Sequence, residues 1–524
     1  MNYKTPGVYV EELAKFPPSV AQVETAIPAF IGYTADGPKN KPTRISSMLE
    51  YETLFGKANP ETFAVAFKDG VATATQPKVS DFKMYYAMQM YFANGGGACY
   101  IVSVGDYSGS VTVGDSTTVG TLVYGFELLK KEDEPTLIVF PDLQGLVATS
   151  ADVAAAQTAK DLAQYAKDLA NTAVDNAEEA VEEAEVDGTA EELAEANQVL
   201  ADAQADAATA NAVFAVVDAN LTKITAANVD DAITNAYQLY NKALDQAELL
   251  KDRFVIMDVL GDEATFRNKV ISKGLKYGAA YHPKLKTVLT YDFKDANVSV
   301  TGVSGATNLA ALKTSSSELY NHAKKAIESK RVILTPSSAM AGVYAKVDST
   351  SGVWKSPANL GLSLVEAPTV KISDREQDAL NVHPGTGKSI NAIRAFVGKG
   401  TLVWGARTLD GNSNEWRYIS VRRFFNMVEE SVKKATERFV FEPNTANTWI
   451  RVQTMIENFL NQQWQDGALA GSKPEDAYYV SVGLNKTMSA QDILEGRMIV
   501  EIGMAAVRPA EFIVLRFSHK LQES

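Results

Sequence analysis

The sequence predicts a mixed α/β protein of several structural units, with a helical hairpin inserted into the middle of the chain. Three observations lead to this fold class. Strand-like and helical segments alternate on both sides of an alanine-rich stretch, that stretch has the composition of long helices, and the C-terminal third changes to amphipathic helices followed by short strands. A chain of 524 residues is also too long for one hydrophobic core, so two to four structural units are expected.

The segments that flank the alanine-rich stretch alternate between strands and helices. The apolar run at 136–140 (TLIVF) has the length and composition of a buried strand and ends in Pro141-Asp142. Such alternation favours a partly parallel sheet with crossover helices, and it makes the alanine-rich stretch an insertion in one strand-to-helix connection. The further elements expected here are a helix at 229–251, a strand at 254–259, a helix at 263–275, and strands near 277–282 and 286–291.

The alanine-rich stretch carries nearly all of the net negative charge. The formal charge of the chain is −14, and residues 151–210 hold 15 Asp and Glu against two lysines. Alanine and glutamate favour helices, and Gly188 followed by Thr189 and Glu192 forms a capping-box pattern that restarts a helix. We expect antiparallel helices at about 150–186 and 190–217 that project into solvent as an acidic spacer. A binding arm for a basic partner or a cell surface is the alternative.

The C-terminal third is predicted to combine two amphipathic helices with short strands. Apolar residues from Phe424 to Phe439 recur with the 3.6-residue period of a helix over 421–439, and a second helix covers about 447–465. Strand-like segments follow at 478–482, 498–502 and 512–517.

Composition and motifs argue against several functional classes. The negative charge disfavours general nucleic-acid binding. The N-terminus lacks the blocks of a secretory signal, and no apolar stretch approaches the length of a membrane span. Cys99 is the only cysteine, so no internal disulfide forms, which fits synthesis in a reducing cytoplasm. The four histidines show no spacing typical of metal ligands, so neither a metal nor another cofactor is expected.

The most tempting catalytic motif is Gly385-Thr386-Gly387-Lys388-Ser389. A phosphate-binding loop needs a glycine five positions before Gly387, and Val382 stands there. The preceding residues are polar and do not form a strand. The glycines at 95–97 follow a helix-like stretch and open a strand, which is the reverse of a phosphate loop. We therefore expect no enzyme, and a nucleotide-binding enzyme that uses Lys388 is a remote alternative.

Both ends of the chain carry an ordered series of short motifs. They are TPGVYVEE at 5–12, AFIG at 29–32, GP at 37–38, Pro42, FG at 55–56, NGGG at 94–97, CYIV at 99–102, WGARTL at 404–409, VRR at 421–423, FEPN at 441–444, DGALAG at 466–471 and VRPAEFI at 507–513. In this order the motifs resemble those of the sheath proteins of contractile phage tails and phage-tail-like injection systems. The resemblance covers roughly 1–105 and 375–524, with looser similarity at 126–146 and 235–260, and the stretch at about 148–228 departs from it.

The resemblance implies a subunit with an inner domain that is built from both chain ends and faces a tail tube, and outer domains from the middle of the chain. The implied division is an N-terminal arm at 1–28, an outer α/β domain at 29–147 and 229–370, the inserted hairpin at 148–228, the inner domain at 371–505 and a C-terminal strand arm at 506–524.

The resemblance further implies that both arms add strands to neighbouring subunits. Exposed apolar strands are a hazard unless a partner edge receives them, and strand addition satisfies their backbone groups. The alternative is that both ends pair within their own subunit. The arm residues are Val8, Tyr9, Val10 and Glu11 at the N-terminus and Phe512, Ile513, Val514 and Leu515 at the C-terminus.

The implied function is a sheath that polymerises as stacked six-subunit rings around an inner tube and contracts without nucleotide. The implied partners are further copies of the chain, the tube protein, and baseplate and terminator proteins, with no nucleic acid and no membrane insertion. Assembly would occur in the bacterial cytoplasm, in a phage tail or a phage-tail-like particle that is in some systems released. The alternative is a tube or baseplate component of the same particle. Candidate tube-facing residues are Lys433, Lys434, Arg438 and Arg451.

Overall fold

The computed structural model describes residues 19–147, 150–225 and 229–516. The chain forms two compact units. The central unit is Thr25–Ile419, and the terminal unit comprises, in its described part, residues 19–24 and 420–516. The sequence drew the boundary of the C-terminal domain at 371 instead. The division falls later because two strands between 390 and 403 belong to the large sheet of the central unit.

The elements are numbered in chain order. The strands are β1 Pro28–Tyr33, β2 Thr43–Ile45, β3 Glu61–Lys68, β4 Val71–Thr75, β5 Cys99–Gly105, β6 Leu137–Val139, β7 Phe254–Asp258, β8 Gly278–His282, β9 Leu285–Thr290, β10 Phe293–Thr301, β11 Arg331–Leu334, β12 Leu360–Gly361, β13 Val365–Pro368, β14 Ile390–Phe396, β15 Gly400–Val403, β16 Tyr478–Val482 and β17 Val500–Met504. The helices are α1 Met48–Phe55, α2 Met84–Ala93, α3 Leu122–Leu128, α4 Ser150–Asp187, α5 Ala190–Thr225, α6 Val229–Leu250, α7 Glu263–Lys269, α8 Leu309–Ser315, α9 Ser317–Glu328, α10 Ser337–Ser351, α11 Asp374–Asn381, α12 Ile419–Thr436, α13 Ala446–Gln465, α14 Pro474–Ala477 and α15 Ala490–Leu494.

A nine-stranded sheet organises the central unit, in the order β12-β15-β14-β8-β7-β6-β1-β5-β2. The strands from β14 to β5 in this order run parallel, and the outer strands run antiparallel. Alternate side chains enter two cores: Phe30 packs in the cluster that contains residues of α2 and α10, and Ile31 in the cluster that contains residues of α3 and α6. The sheet is thus covered on both faces, as expected for parallel strands, and the predicted α/β class is confirmed.

The inserted hairpin lies between β6 and the crossover helix α6, as the sequence predicts. Its helices α4 and α5 are joined at Gly188, and the capping box is present: the Thr189 N–H donates to Glu192 Oε2 at 2.7 Å, and the Glu192 N–H donates to Thr189 Oγ1 at 3.3 Å. The second helix continues to Thr225 rather than 217. The predicted helix at 263–275 is shorter and ends at Lys269, because Val270 takes an extended backbone conformation.

The expectation that the hairpin is wholly a solvated spacer is wrong for its base. The base packs on the three-stranded sheet β10-β3-β4, where Tyr165 stacks with Lys68 and the backbone N–H of Gly302 donates to Asp206 at 3.0 Å. A cavity of about 140 Å³ remains under the contact. From Leu169 to Asp187, α4 rises a further ~27 Å at 1.5 Å per residue, and this distal part is mostly exposed.

The terminal unit contains α12, α13 and the antiparallel pair β16-β17. The predicted helices at 421–439 and 447–465 and the strand at 478–482 are confirmed, and the strand expected at 498–502 begins two residues later. The strand expected at 512–517 is absent from its described part, 512–516. A strand requires a partner edge, and residues 512–516 pair with no strand of the described chain.

Candidate assembly surfaces

The C-terminal arm leaves the terminal unit as an exposed apolar segment. The last backbone hydrogen bond before it joins the Val507 N–H to the Ala468 carbonyl at 3.1 Å. The arm residues Phe512 to Leu515 that follow are between 69% and 79% exposed. Four consecutive large apolar side chains in water are unfavourable at roughly 25 cal/mol per Å² of apolar surface. This segment is therefore suited to bury its side chains against another surface.

The terminal unit also contains a sheet that can accept a strand. Strands β16 and β17 pair with each other, and among the described residues neither pairs with a third strand. Val480 and Val482 are buried on the face that contacts α13. On the other face the Tyr479 ring lies against Gly503, where an added Cβ would come within 2.1 Å of the ring. A two-stranded sheet is marginal alone, so further strands at its open edges would stabilise it.

The N-terminal arm residues Val8 to Glu11 lie outside the described residues. The described chain begins at Ser19, and the segment 19–24 is held by α12 and α13 of the same unit. The Arg438 guanidinium donates to the Ser19 carbonyl at 3.1 Å, and the Val23 N–H donates to Ser431 Oγ at 3.0 Å. The N-terminal segment therefore enters the unit from which the C-terminal arm leaves.

The four candidate tube-facing cations all have partners within the terminal unit. Lys433 and Lys434 both form ion pairs with Glu430, at 3.1 and 3.5 Å. Arg438 holds the N-terminal segment, and Arg451 pairs with Glu442 at 3.7 Å. The structure thus gives Arg438 a structural role that the sequence did not reveal, and tube contact by all four cations stays a prediction.

Two buried aspartates lie at the edge of the large sheet where α/β proteins bind ligands, and each is bonded to the N-terminal end of a helix there. Ligands in open parallel sheets sit outside the carboxyl ends of the strands. There Asp142, just after β6, accepts hydrogen bonds from the backbone N–H groups of Tyr33, Lys83 and Met84 at 2.7, 2.6 and 3.0 Å. Its carboxylate caps the positive N-terminal end of α2, which a phosphate would occupy in a nucleotide-binding protein.

Asp258, at the end of the neighbouring strand β7, does the same for α10. It accepts hydrogen bonds from the Ser337 N–H at 2.8 Å and from the Ser337 hydroxyl at 2.6 Å. Burial raises the pKa of both Asp142 and Asp258 to about 6. The sequence placed Asp142 at the end of a strand, but only the tertiary structure shows these two capping roles.

Lys388 does not face a phosphate site. Its ammonium group donates to the backbone carbonyls of Arg267 and Val270, the latter at 2.6 Å, at the end of α7. The side chain is buried, and burial lowers its pKa.

The described residues contain no group of three or more His, Cys, Asp or Glu positioned to hold a metal ion. Cys99 is buried, and burial raises the pKa of its thiol. Within the described chain, no helix is both long and apolar enough to cross a membrane.

Comparison with known proteins identifies the fold and its relatives. The family model of the phage tail sheath C-terminal domain matches residues 412–520. The tail sheath protein of Burkholderia phage BcepMu is 29% identical over 142 residues, which are 26% of this chain and 29% of that protein. The tail sheath protein of Enterobacteria phage T4 is 29% identical over 122 residues, 23% of this chain and 18% of that protein. The chain thus matches less than a third of the length of these curated relatives.

Solved structures match over nearly the whole chain. The contracted helical sheath of the anti-feeding prophage is 27% identical with a TM-score of 0.58, covering 99% of this chain and all of that one. The contracted sheath of the extracellular contractile injection system PVC is also 27% identical, with a TM-score of 0.56 and 99% of both chains covered. Residues 412–520 thus match the phage tail sheath C-terminal domain, and the chain as a whole is similar to the sheath proteins of contractile injection systems.

Proposed function

We propose that this chain is the structural subunit of a contractile sheath, which polymerises into a helical cylinder around an inner tube and contracts to drive that tube through a target envelope. The observation that carries the proposal is the match to the contracted anti-feeding prophage sheath over 99% of this chain. Chains in two structures of the anti-feeding prophage baseplate match over a similar share of this chain. The sheath is favoured over a tube or baseplate component because the matched family model and the curated relatives are sheath proteins.

The subunits are linked by exchanged strands. The exposed run Phe512 to Leu515 supplies the strand, and the open edges of β16-β17 receive it in a neighbouring copy. Main-chain hydrogen bonds give such strand addition its affinity. Because donor and acceptor are different surfaces of one chain, the contact is head-to-tail and generates an open helix. The terminal unit would then form the layer that faces the tube.

In this function the chain binds further copies of itself in stacked six-subunit rings. Its other partners are an inner tube protein and the baseplate and terminator proteins. Assembly takes place in the bacterial cytoplasm before the particle is used or released. Exchanged strands keep subunits attached while the other contacts between subunits change during contraction.

Contraction uses stored conformational free energy rather than catalysis by this chain. Two arrangements support this: Asp142 and Asp258 occupy the helix ends at the carboxyl edge of the sheet, and Lys388 is engaged with backbone carbonyls. The chain is accordingly proposed to be a non-enzymatic component, and a nucleotide-dependent role for Lys388 is disfavoured.

Electron microscopy of the purified protein tests the assembly. Expressed alone, the protein should form hollow striated cylinders of uniform width, in the contracted state because no tube template is present. Deleting residues 1–12 or substituting Ile513→Asp should leave a folded monomer that forms no cylinders. Val397→Asp, at an equally apolar and fully exposed position in the turn between β14 and β15, is the matched control. If the wild-type protein yields only globular particles, both when expressed alone and when co-expressed with a tube protein, the sheath proposal is wrong.

A further inference from the structure

The turn between α12 and α13 presents a phenylalanine that is entirely exposed. Phe441 is 102% exposed and its neighbour Val440 is 60% exposed. The backbone of Phe441 is left-handed, with φ +70°, a conformation that bulky L-residues rarely adopt. Such backbone strain persists only where the surroundings enforce it. A folding requirement for the ring does not explain the position, since the ring touches no core.

The surrounding turn is fixed by hydrogen bonds. The Asn444 side chain accepts from Trp449 Nε1 at 2.6 Å and donates to the Arg497 carbonyl at 3.0 Å. The Thr448 hydroxyl donates to the Pro443 carbonyl at 2.7 Å, and Glu442 pairs with Arg451. These contacts hold the backbone rigid while the Phe441 ring points into solvent. A rigid, exposed aromatic group loses little conformational entropy on binding, and phenylalanine is enriched in protein interfaces.

The location of the turn indicates which molecule covers it. Arg497 precedes β17 by three residues, so the bond from Asn444 joins the turn to the segment that leads into the strand-accepting sheet. A neighbouring copy whose arm adds to β16-β17 therefore meets Phe441 beside that sheet. Exposed apolar side chains near these hydrogen-bonded segments in the sequence include Ile450 at the start of α13, Leu494 at the end of α15 and Ile499 just before β17.

We infer that Phe441, with Val440, is an anchor that inserts into a second copy of this chain when the sheath assembles. The inference rests on the proposed function and adds to strand exchange a side-chain contact that fixes how the linked subunits are oriented. The backbone strain at Phe441 is tolerated because the ring is needed in the polymer rather than in the monomer.

The test uses Phe441→Gly in the full-length protein. Glycine adopts φ +70° readily, so this substitution removes the ring and relieves the strain at the same time. We expect the melting temperature of the monomer to stay the same or rise, while the critical concentration for cylinder formation rises at least tenfold. These opposite directions separate a binding role from a folding role. Val397→Gly, which removes another fully exposed apolar side chain in the central unit, should leave the critical concentration unchanged.

The possible results distinguish the inference from the proposed function. If wild type forms cylinders and Phe441→Gly forms them at the same concentration, the anchor inference is wrong and the sheath proposal stands. If Phe441→Gly cylinders form normally but no longer retain a co-expressed tube protein, the partner is the tube and the inference is also overturned. If wild type fails to assemble with or without the tube protein, the sheath proposal itself fails.

Discussion

Replacing Lys388 by methionine separates the structural role of this lysine from a role in nucleotide binding. Methionine keeps most of the volume of the side chain and removes the ammonium group that donates to the carbonyls of Arg267 and Val270. A lysine in a phosphate loop is exposed to its ligand, so its loss would abolish nucleotide binding and leave the fold nearly unchanged. The contacts of Lys388 lead to the opposite expectation.

The expected loss of stability follows from the two hydrogen bonds. Hydrogen bonds from a charged donor contribute about 1.5–3 kcal/mol each. Burial lowers the pKa of Lys388, which means that keeping its charge in the folded state opposes part of this gain. We expect a net loss of about 3 kcal/mol. At ~2.1 cal/mol/K per residue, the central unit Thr25–Ile419 has an unfolding entropy of roughly 0.8 kcal/mol/K, so the melting temperature should fall by about 4 °C.

Differential scanning calorimetry measures this shift, and isothermal titration with ATP and Mg²⁺ measures nucleotide binding. Lys399→Met, at an exposed lysine of the same unit, is the control and should shift the melting temperature by less than 1 °C. The structural role of Lys388 is refuted if Lys388→Met has the same melting temperature as the wild type, or if the wild type binds ATP and the variant does not.

Three further predictions concern the buried aspartates, the hairpin and its base. Burial raises the pKa of Asp258 to about 6 from 3.8, so the charge of this group costs stability increasingly as the pH rises from about 4 to 6. The difference in melting temperature between Asp258→Asn and wild type should therefore change in favour of the variant from pH 5 to pH 7, by the equivalent of about 1 kcal/mol. A difference that scanning calorimetry finds to be the same at both pH values would contradict the raised pKa of Asp258. Limited proteolysis of assembled particles should cut first near Gly188, where Val186 is 80% exposed, and complete protection there would show that the distal hairpin is covered. Tyr165→Ala should release the base from Lys68 and increase hydrogen exchange in α4 and α5, whereas Val199→Ala in the distal part should not.

Local sequence patterns were sufficient for most of the elements that the sequence analysis predicted, because the interactions that define them are close in the chain. The two residues of the capping box, Thr189 and Glu192, are three positions apart, and they place the start of α5 correctly. The helices of the terminal unit follow from the 3.6-residue apolar period, and β6 and β7 follow from short apolar runs. The end of α5 was placed too early, because alanine-rich sequence gives no local stop signal between 217 and 225.

Features that depend on distant partners were not predicted. The hairpin base was expected to be solvated because its side chains are small, yet small side chains also permit close packing on β3 and β4. The boundary at 371 was drawn from motif order, whereas the structure divides the chain at Ser420, where the last segment of the large sheet has ended. The exposure and strained backbone of Phe441 have no local signature in the motif FEPN.

The sequence by itself determined the elements that flank the inserted hairpin, the hairpin itself, the main helices of the terminal unit and the apolar C-terminal arm, because helix period, capping and apolar runs are local properties. Only the tertiary structure decided what fills the carboxyl edge of the sheet and where Lys388 points. Those contacts join residues 58 to 121 positions apart, the nearest being Asp142 with Met84 and the farthest Lys388 with Arg267. A carboxylate or an ammonium group carries the same charge in a ligand site and in a helix cap, and its three-dimensional neighbours alone decide which of the two it serves.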